Sequence, residues 1–254
     1  MNETELSVKL PEQNAALSQD EEYCIVVNEG KKQKIRFHDY PEIYNIPGLY
    51  EHLIYDTLKC DSPKVVSSLL VDDVAQSNLP VSDLIVLDLG AGNGMVAEVL
   101  AEKGVKKIVG VDIIEEAAEA TERDRPNLYH NYYVEDMNNL SEQSEEELKA
   151  TNFNCMVCVA ALGFGDIPPA VFGNAYNLVD NNGWVAFTIK KDFFDKHEDT
   201  SGFSKLIRNL TEDGRLDIQV KHPYRHRLSV DGKPLEYIAV VGRKRTDIPQ
   251  SMLQ

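Results

Sequence analysis

The sequence contains no apolar run approaching the roughly 18 to 20 residues that a membrane-spanning helix requires. Its first stretch, MNETELSVKLPEQNAALSQDEE, lacks both the basic start and the apolar core of a secretory signal. Cysteine is scarce: four in 254 residues, too few and too scattered for the disulfide framework of a small secreted protein. Positive charge is in deficit as well, with 26 Lys and Arg against 42 Asp and Glu for a net charge of −16. That balance argues against nucleic acid as a partner, because such binding gains its affinity from cations set against phosphates. These absences together predict a soluble, cytoplasmic protein with neither a membrane nor a nucleic-acid partner.

Two local features stand against this background. Cys155 and Cys158 form a CxxC, but inside the apolar run FNCMVCVAAL, where small buried strand residues are expected rather than a redox pair or a zinc site. No metal site is expected elsewhere. The basic stretch KHPYRHR (221–227) could read an anionic group, but reads first as a solvated strand edge whose charges discourage pairing with other sheets.

The remainder is ordinary for a globular chain, 43% hydrophobic and 27% charged. Residues 1–22 carry six acids against one lysine and show no sustained period, which predicts a disordered acidic tail. Residues 23–80 read as a strand and helical lid segment: a short strand in EYCIVVNEG, a connector in KKQKIRFHDY, and a helix from Leu49 with Leu53, Ile54 and Leu58 at helical spacing. A second helix follows, with Ser62 as cap, Pro63 in the first turn and a stripe of Val65, Val66, Leu69 and Leu70. Residues 81–245 form the main domain and 246–254 a short C-terminal tail.

From Leu84 strands and helices alternate. LIVLDL, KKIVGVD, LYHNYYVED (ending at Asp136), NCMVCVAAL and GWVAFTIK are strand-like, and helical segments separate them. Two further strands, about Leu216 to Tyr224 and Leu235 to Val241, are joined by SVDGKP, too short for a parallel crossover, so they should pair antiparallel. The pattern predicts an α/β, doubly wound, mostly parallel sheet that binds ligand beyond the carboxyl ends of its strands.

Three glycines stand in five positions at the end of the first of these strands, in VLDLGAGNGM. Glycine there permits a tight turn and lets a ligand approach bare backbone. Two carboxylates follow in register. Asp112 ends the second strand, 22 residues past Gly90, where it can accept the hydroxyls of a ribose; Asp136 ends the third, beside the Met137 amide, where the pair can read a purine edge. A dinucleotide site wants GxGxxG, and its third glycine would stand at 95, which is Met95.

VLDLGAGNG with Asp88, VGVDI and VEDM, together with the strand order, resemble the class I S-adenosylmethionine-dependent methyltransferases over about residues 60 to 243. The resemblance implies a seven-stranded Rossmann-like sheet closed by a C-terminal antiparallel hairpin, and S-adenosyl-L-methionine as cofactor with S-adenosyl-L-homocysteine as product. It assigns Asp88 to orient the glycine loop and help hold the methionine end, and Gly90, Ala91 and Gly92 to line the cofactor. It gives Asp112 the ribose, Ile113 the adenine face, Asp136 and Met137 the adenine edge, and Ala160 the reactive side.

The acceptor is less legible, because methyl transfer from a good leaving group needs little beyond alignment. The box that marks base-amino methyltransferases, an Asn, Asp or Ser before Pro-Pro-aromatic, is missing: ALGFGDIPPAVF has Ile167 before its prolines and Ala170 after them. The aromatic wall is expected from His38, Tyr40, Tyr44 and Tyr50. Candidate bases are Tyr44, Asp166 and His222, and Lys190 and Lys191 are candidates to face an acidic acceptor. The expected activity is methylation of a small molecule at O, N or S. The alternatives are a non-catalytic cofactor-binding scaffold or regulatory partner, and a protein methyltransferase.

Overall fold

The computed structural model describes residues 6–11, 17–28, 30–162, 166–192 and 201–253. The chain opens with an antiparallel sheet of β1 (Ser7–Lys9), β2 (Tyr23–Asn28) and β3 (Lys31–Arg36). A short helix, α1 (Tyr40–Tyr44), and a π-helical turn over Glu51–Thr57 lead into α2 (Ser62–Ala75). The main domain then alternates: β4 (Ile85–Leu89), α3 (Met95–Glu102), β5 (Lys107–Asp112), α4 (Glu115–Asp124), β6 (Asn131–Val134), α5 (Glu142–Ala150), β7 (Phe153–Cys158), α6 (Pro169–Asn177) and β8 (Val179–Lys190). After α7 (Phe203–Glu212) the hairpin of β9 (Leu216–Leu228) and β10 (Pro234–Lys244) closes the sheet.

The seven strands lie in the order β6-β5-β4-β7-β8-β10-β9, parallel except for β10, which runs antiparallel to both neighbours. The predicted doubly wound sheet with its closing hairpin is therefore present. Strand β4 is central and covered on both faces, which is why it reads as an unbroken apolar run. One face carries a core of Phe153, Phe172, Tyr176 and Phe187, and the other carries Val66, Leu70, Leu100 and Trp184. Cys155 and Cys158 are fully buried in β7 as strand residues. The order reverses at β4, whose neighbours β5 and β7 are reached in opposite directions, so a crevice opens where the glycines stand.

The N-terminal region departs from expectation. Within the stretch expected to be a disordered tail, β1 pairs with β2, Ser7 opposite Val27, and Glu22 is buried. Glu22 Oε2 accepts a bond of 2.6 Å from Arg227 Nη2, its Oε1 accepts one of 2.7 Å from Val230 N, and both members of the pair are sealed from water. Polar composition concealed an acid whose partner lies 205 residues away. The supposed connector is β3: only its Ile35 is buried, and Lys31, Lys32 and Lys34 are exposed as a charged sheet edge.

Three boundaries also move. Asp61, not Ser62, occupies the cap position of α2, and the Ser62 hydroxyl is committed to Tyr224 and His226 instead. Strand β6 ends at Val134, so Asp136 sits in the following turn. Strand β9 continues to Leu228, four residues further than the sequence pattern suggested. KHPYRHR is thus an exposed edge only in part. Lys221 and His222 are exposed, whereas Tyr224, His226 and Arg227 are buried.

Candidate active site

The loop after β4 is held in a left-handed path, with φ of +69° at Gly90, +54° at Gly92 and +88° at Gly94. At Gly92 the need for glycine is also spatial, since an added Cβ would fall 2.7 Å from the Tyr44 hydroxyl. The Gly92 peptide is fixed from both sides. Its N–H donates to Asp112 Oδ2 at 2.8 Å, and its carbonyl accepts from Tyr132 Oη at 2.8 Å and Thr121 Oγ1 at 3.0 Å. The second oxygen of Asp112 accepts from Ile114 N at 3.0 Å. Burial raises the Asp112 pKa, and the amides of Gly92, Ile114 and Ile113 oppose that rise.

Gly90, Ala91, Gly92, Asp112, Ile113, Asp136, Met137 and Ala160 all line one cavity of about 540 Å³. Ile113 is 66% exposed there, a large apolar side chain bared on the wall of a pocket rather than packed. Asp136 accepts from Asn138 N at 2.9 Å in a tight turn, and the Met137 side chain is buried. Ala160 stands at φ +58°, a conformation that costs a non-glycine residue roughly 1–2 kcal/mol, and its N–H is pinned to Thr188 Oγ1 at 2.7 Å. Strain of this kind collects at functional sites.

Asp88 is placed differently from expectation, because it lies behind the loop and does not line the cavity. Its Oδ2 accepts from Tyr129 Oη at 2.8 Å, and its buried Oδ1 has no partner among the described residues. Burial pushes its pKa up to about 7 against the pull of the Tyr129 bond. A carboxyl raised in the folded state keeps a proton that the unfolded chain releases, so stability falls as pH rises from about 4 towards about 7. Asp88→Asn keeps an acceptor for Tyr129 without the charge. Its melting temperature should exceed that of the wild type at pH 8, with the difference shrinking at pH 5; an equal difference at both pH values would contradict this.

The far wall of the cavity comes from the N-terminal region. Rings of His38, Tyr40, Tyr44, Tyr50 and Tyr55 follow one another with centroids 5.7, 6.2, 5.1 and 6.0 Å apart. Two arginines of the main domain anchor this wall. Arg123 Nη1 donates to the Tyr44 carbonyl at 3.1 Å, and Arg125 binds Glu51 at 2.8 Å and Glu98 at 3.0 Å, while Asn93 Nδ2 donates to the same Glu51 oxygen at 2.7 Å. The aromatic wall expected from four residues is brought together and also includes Tyr55 and Phe37, with Gln19 lining the cavity beside it.

The candidate bases divide. Asp166 lines the cavity and pairs with His38 Nδ1 at 3.4 Å. Tyr44 lines the cavity too, with its hydroxyl against Gly92, and burial raises its pKa well above the usual phenol range. His222 is outside the cavity, paired with Ala239 on the exposed part of β9. It stands four residues, about 14 Å of strand, from His226. Lys190 and Lys191 do not line the cavity either. Sequence reasoning missed His226, Arg227 and Tyr237, which do. In sequence, His226 and Arg227 belong to the basic stretch read as a strand edge, and a β-bulge sits at this point: Leu235 faces Arg227 and Glu236 faces Arg225, leaving His226 as the extra residue.

A glycine loop thus stands at the sheet switch point, with a carboxylate at the end of the next strand and a bare apolar side chain beside it, all on one cavity. Residues 62–225 match the model of the family described as Methyltransferase domain, and the chain belongs to that family. It is an S-adenosylmethionine-dependent methyltransferase. Among solved structures it is similar to an S-adenosylmethionine-dependent methyltransferase from Clostridium acetobutylicum (16% identity, 78% of this chain and 96% of that one, TM-score 0.51). It is similar also to magnesium protoporphyrin IX methyltransferase from Synechocystis with bound S-adenosylmethionine (18%, 90% and 99%, TM-score 0.51). A proposed RNA methyltransferase from Pyrococcus horikoshii shares the fold at 12% identity, over 72% of this chain and 81% of that one, with TM-score 0.51. No curated protein matches the sequence. Among the described residues no helix is long and apolar enough to cross a membrane.

Proposed function

We propose that the enzyme methylates a small-molecule acceptor at O, N or S, and that Gly90, Ala91, Gly92, Asp112, Ile113, Asp136, Met137 and Ala160 hold S-adenosylmethionine, with Asp88 supporting the loop from behind. The residues present suit that cofactor. Bare glycine backbone at Gly92 admits close approach, Asp112 keeps acceptor capacity for sugar hydroxyls, and exposed Ile113 offers an apolar face to a flat purine. When bound, the cofactor supplies an electrophilic methyl group on a sulfonium centre. The protein's part is to align the acceptor and exclude water.

The observation that supports the small-molecule reading is that the cavity lined by the glycine loop is lined also by Phe37, Tyr40, Tyr50, Ile54 and Tyr237. Such an aromatic and apolar lining suits a compact acceptor. Nucleic acid is disfavoured by the net charge of −16 and by the absence of the base-methylating box. Incubating the protein with methyl-labelled S-adenosylmethionine and a cell extract tests this: label should move into the low-mass fraction. Label confined to macromolecules would indicate a protein or RNA methyltransferase, and label left on the cofactor would indicate a non-catalytic partner; either overturns the proposal.

A further inference from the structure

Two histidines line the cavity outside the proposed cofactor residues: His38, which pairs with Asp166, and His226. His226, buried at 6% exposure, lines the cavity with Arg227 and Tyr237, its ring 4.2 Å from that of Tyr237. Its Nδ1 is 2.7 Å from Ser62 Oγ, which is in turn 2.5 Å from Tyr224 Oη, and the Cys60 thiol lies 3.7 Å from the same nitrogen. Its Nε2 has no hydrogen-bond partner among the described residues. With its proton on Nδ1 and shared with Ser62 Oγ, the ring would present the Nε2 lone pair as a proton acceptor beside the cavity that the residue lines. It stands where the bulge in β9 re-aims the chain, a device common beside active sites.

The surroundings restrict the acceptor. Two cations flank this histidine in sequence, and each is balanced: Arg225 by Asp61 at 2.9 Å and Arg227 by buried Glu22. The other titratable groups packed around His226 are Cys60, Tyr224 and Tyr237. Nothing among these offers an unbalanced positive charge to a carboxylate or phosphate, while the walls are aromatic rings suited to a flat, neutral molecule. Resting on the methyltransferase reading, we infer that His226 Nε2 is the proton acceptor for O-methylation of a neutral phenolic hydroxyl. In that reaction the phenol oxygen forms its bond to the methyl carbon as the carbon–sulfur bond breaks. The electron pair of the broken bond stays on sulfur, which becomes a neutral thioether, and the hydroxyl proton goes to Nε2.

Burial, and next the charge of Arg227, hold the His226 pKa well below the usual histidine range. The ring is therefore neutral at physiological pH, with one nitrogen unprotonated. Charging it is tolerable only because the sulfonium charge disappears in the same step, so the net charge of the site is conserved.

The test compares wild type with His226→Asn and His226→Gln on a series of phenols from weakly acidic phenol itself to strongly acidic nitrophenols, with S-adenosylhomocysteine binding as a check on folding. The rate on weakly acidic phenols should fall 100-fold or more in the variants. The loss should shrink towards the acidic end, where the acceptor arrives already ionised, and this comparison within one protein is independent of the folded fraction. Binding of 4-nitrophenol in its neutral form to the S-adenosylhomocysteine complex, followed by absorbance, should weaken about 3- to 10-fold in the variants. An equal loss along the series would mean a structural role and overturn the inference. So would a wild-type protein that binds S-adenosylhomocysteine but methylates no phenol, which leaves the methyltransferase reading standing. Failure to bind S-adenosylhomocysteine at all would remove both.

Discussion

Glu22→Ala is expected to destabilise the protein by about 3–5 kcal/mol, the cost of leaving a buried charge without its partner. The Arg227 side chain is 5% exposed and that of Glu22 1%, so water cannot replace the carboxylate once it is gone. Val230 N would lose its acceptor at the same time. For a chain of this length such a change lowers the melting temperature by roughly 6–20 °C. The effect should concentrate on the N-terminal sheet, so limited proteolysis within residues 6–36 should accelerate. Replacing both members by methionine should restore much of the loss, since apolar side chains of similar volume fill the site without burying a charge. A single Glu22→Ala variant with the wild-type melting temperature would show that the N-terminal sheet is not docked through this pair. Docking matters for the site because Gln19, Phe37 and His38 flank the same segment and line the cavity.

The sequence was most legible where a feature is carried by short, local spacing. The glycines at 90, 92 and 94 and the aspartates at 112 and 136 could be read together because each lies at or just after a strand end whose apolar run is itself visible. Cys155 and Cys158 were read correctly for the same reason, being embedded in such a run. Long-range features were not legible. Glu22 looked like one more acid in a polar tail, since nothing nearby announces that Arg227 will be folded over it. Lys31, Lys32 and Lys34 masked β3, because an edge strand with one buried residue carries little hydrophobic alternation. His226 was hidden by the bulge. Strict alternation gives His222 and His226 equivalent faces, and only the pairing register shows which of them reaches the cavity end of β9.

Asp112→Ala is the second substitution with a large expected effect, and it acts on binding rather than on stability alone. The carboxylate accepts from Gly92 N and Ile114 N at once, so removing it leaves two backbone donors without their acceptor and frees the glycine loop. It also removes the acceptor proposed for the ribose. Hydrogen bonds to a charged group contribute about 1.5–3 kcal/mol each, so loss of the ligand contact alone corresponds to roughly 10- to 150-fold in affinity. Loosening of the loop adds to that. Asp112→Asn, which keeps one acceptor oxygen, should fall between the two. The aromatic wall should remain in place in both variants, because Arg123 and Arg125 anchor it independently of Asp112.

Titration calorimetry with S-adenosylhomocysteine on the wild type and Asp112→Ala tests the central claim most directly. The account predicts micromolar binding to the wild type, one ligand per chain, and affinity at least tenfold weaker in the variant. No heat with the wild type, or equal affinity in the two proteins, would contradict a nucleoside held at the tips of β4 and β5.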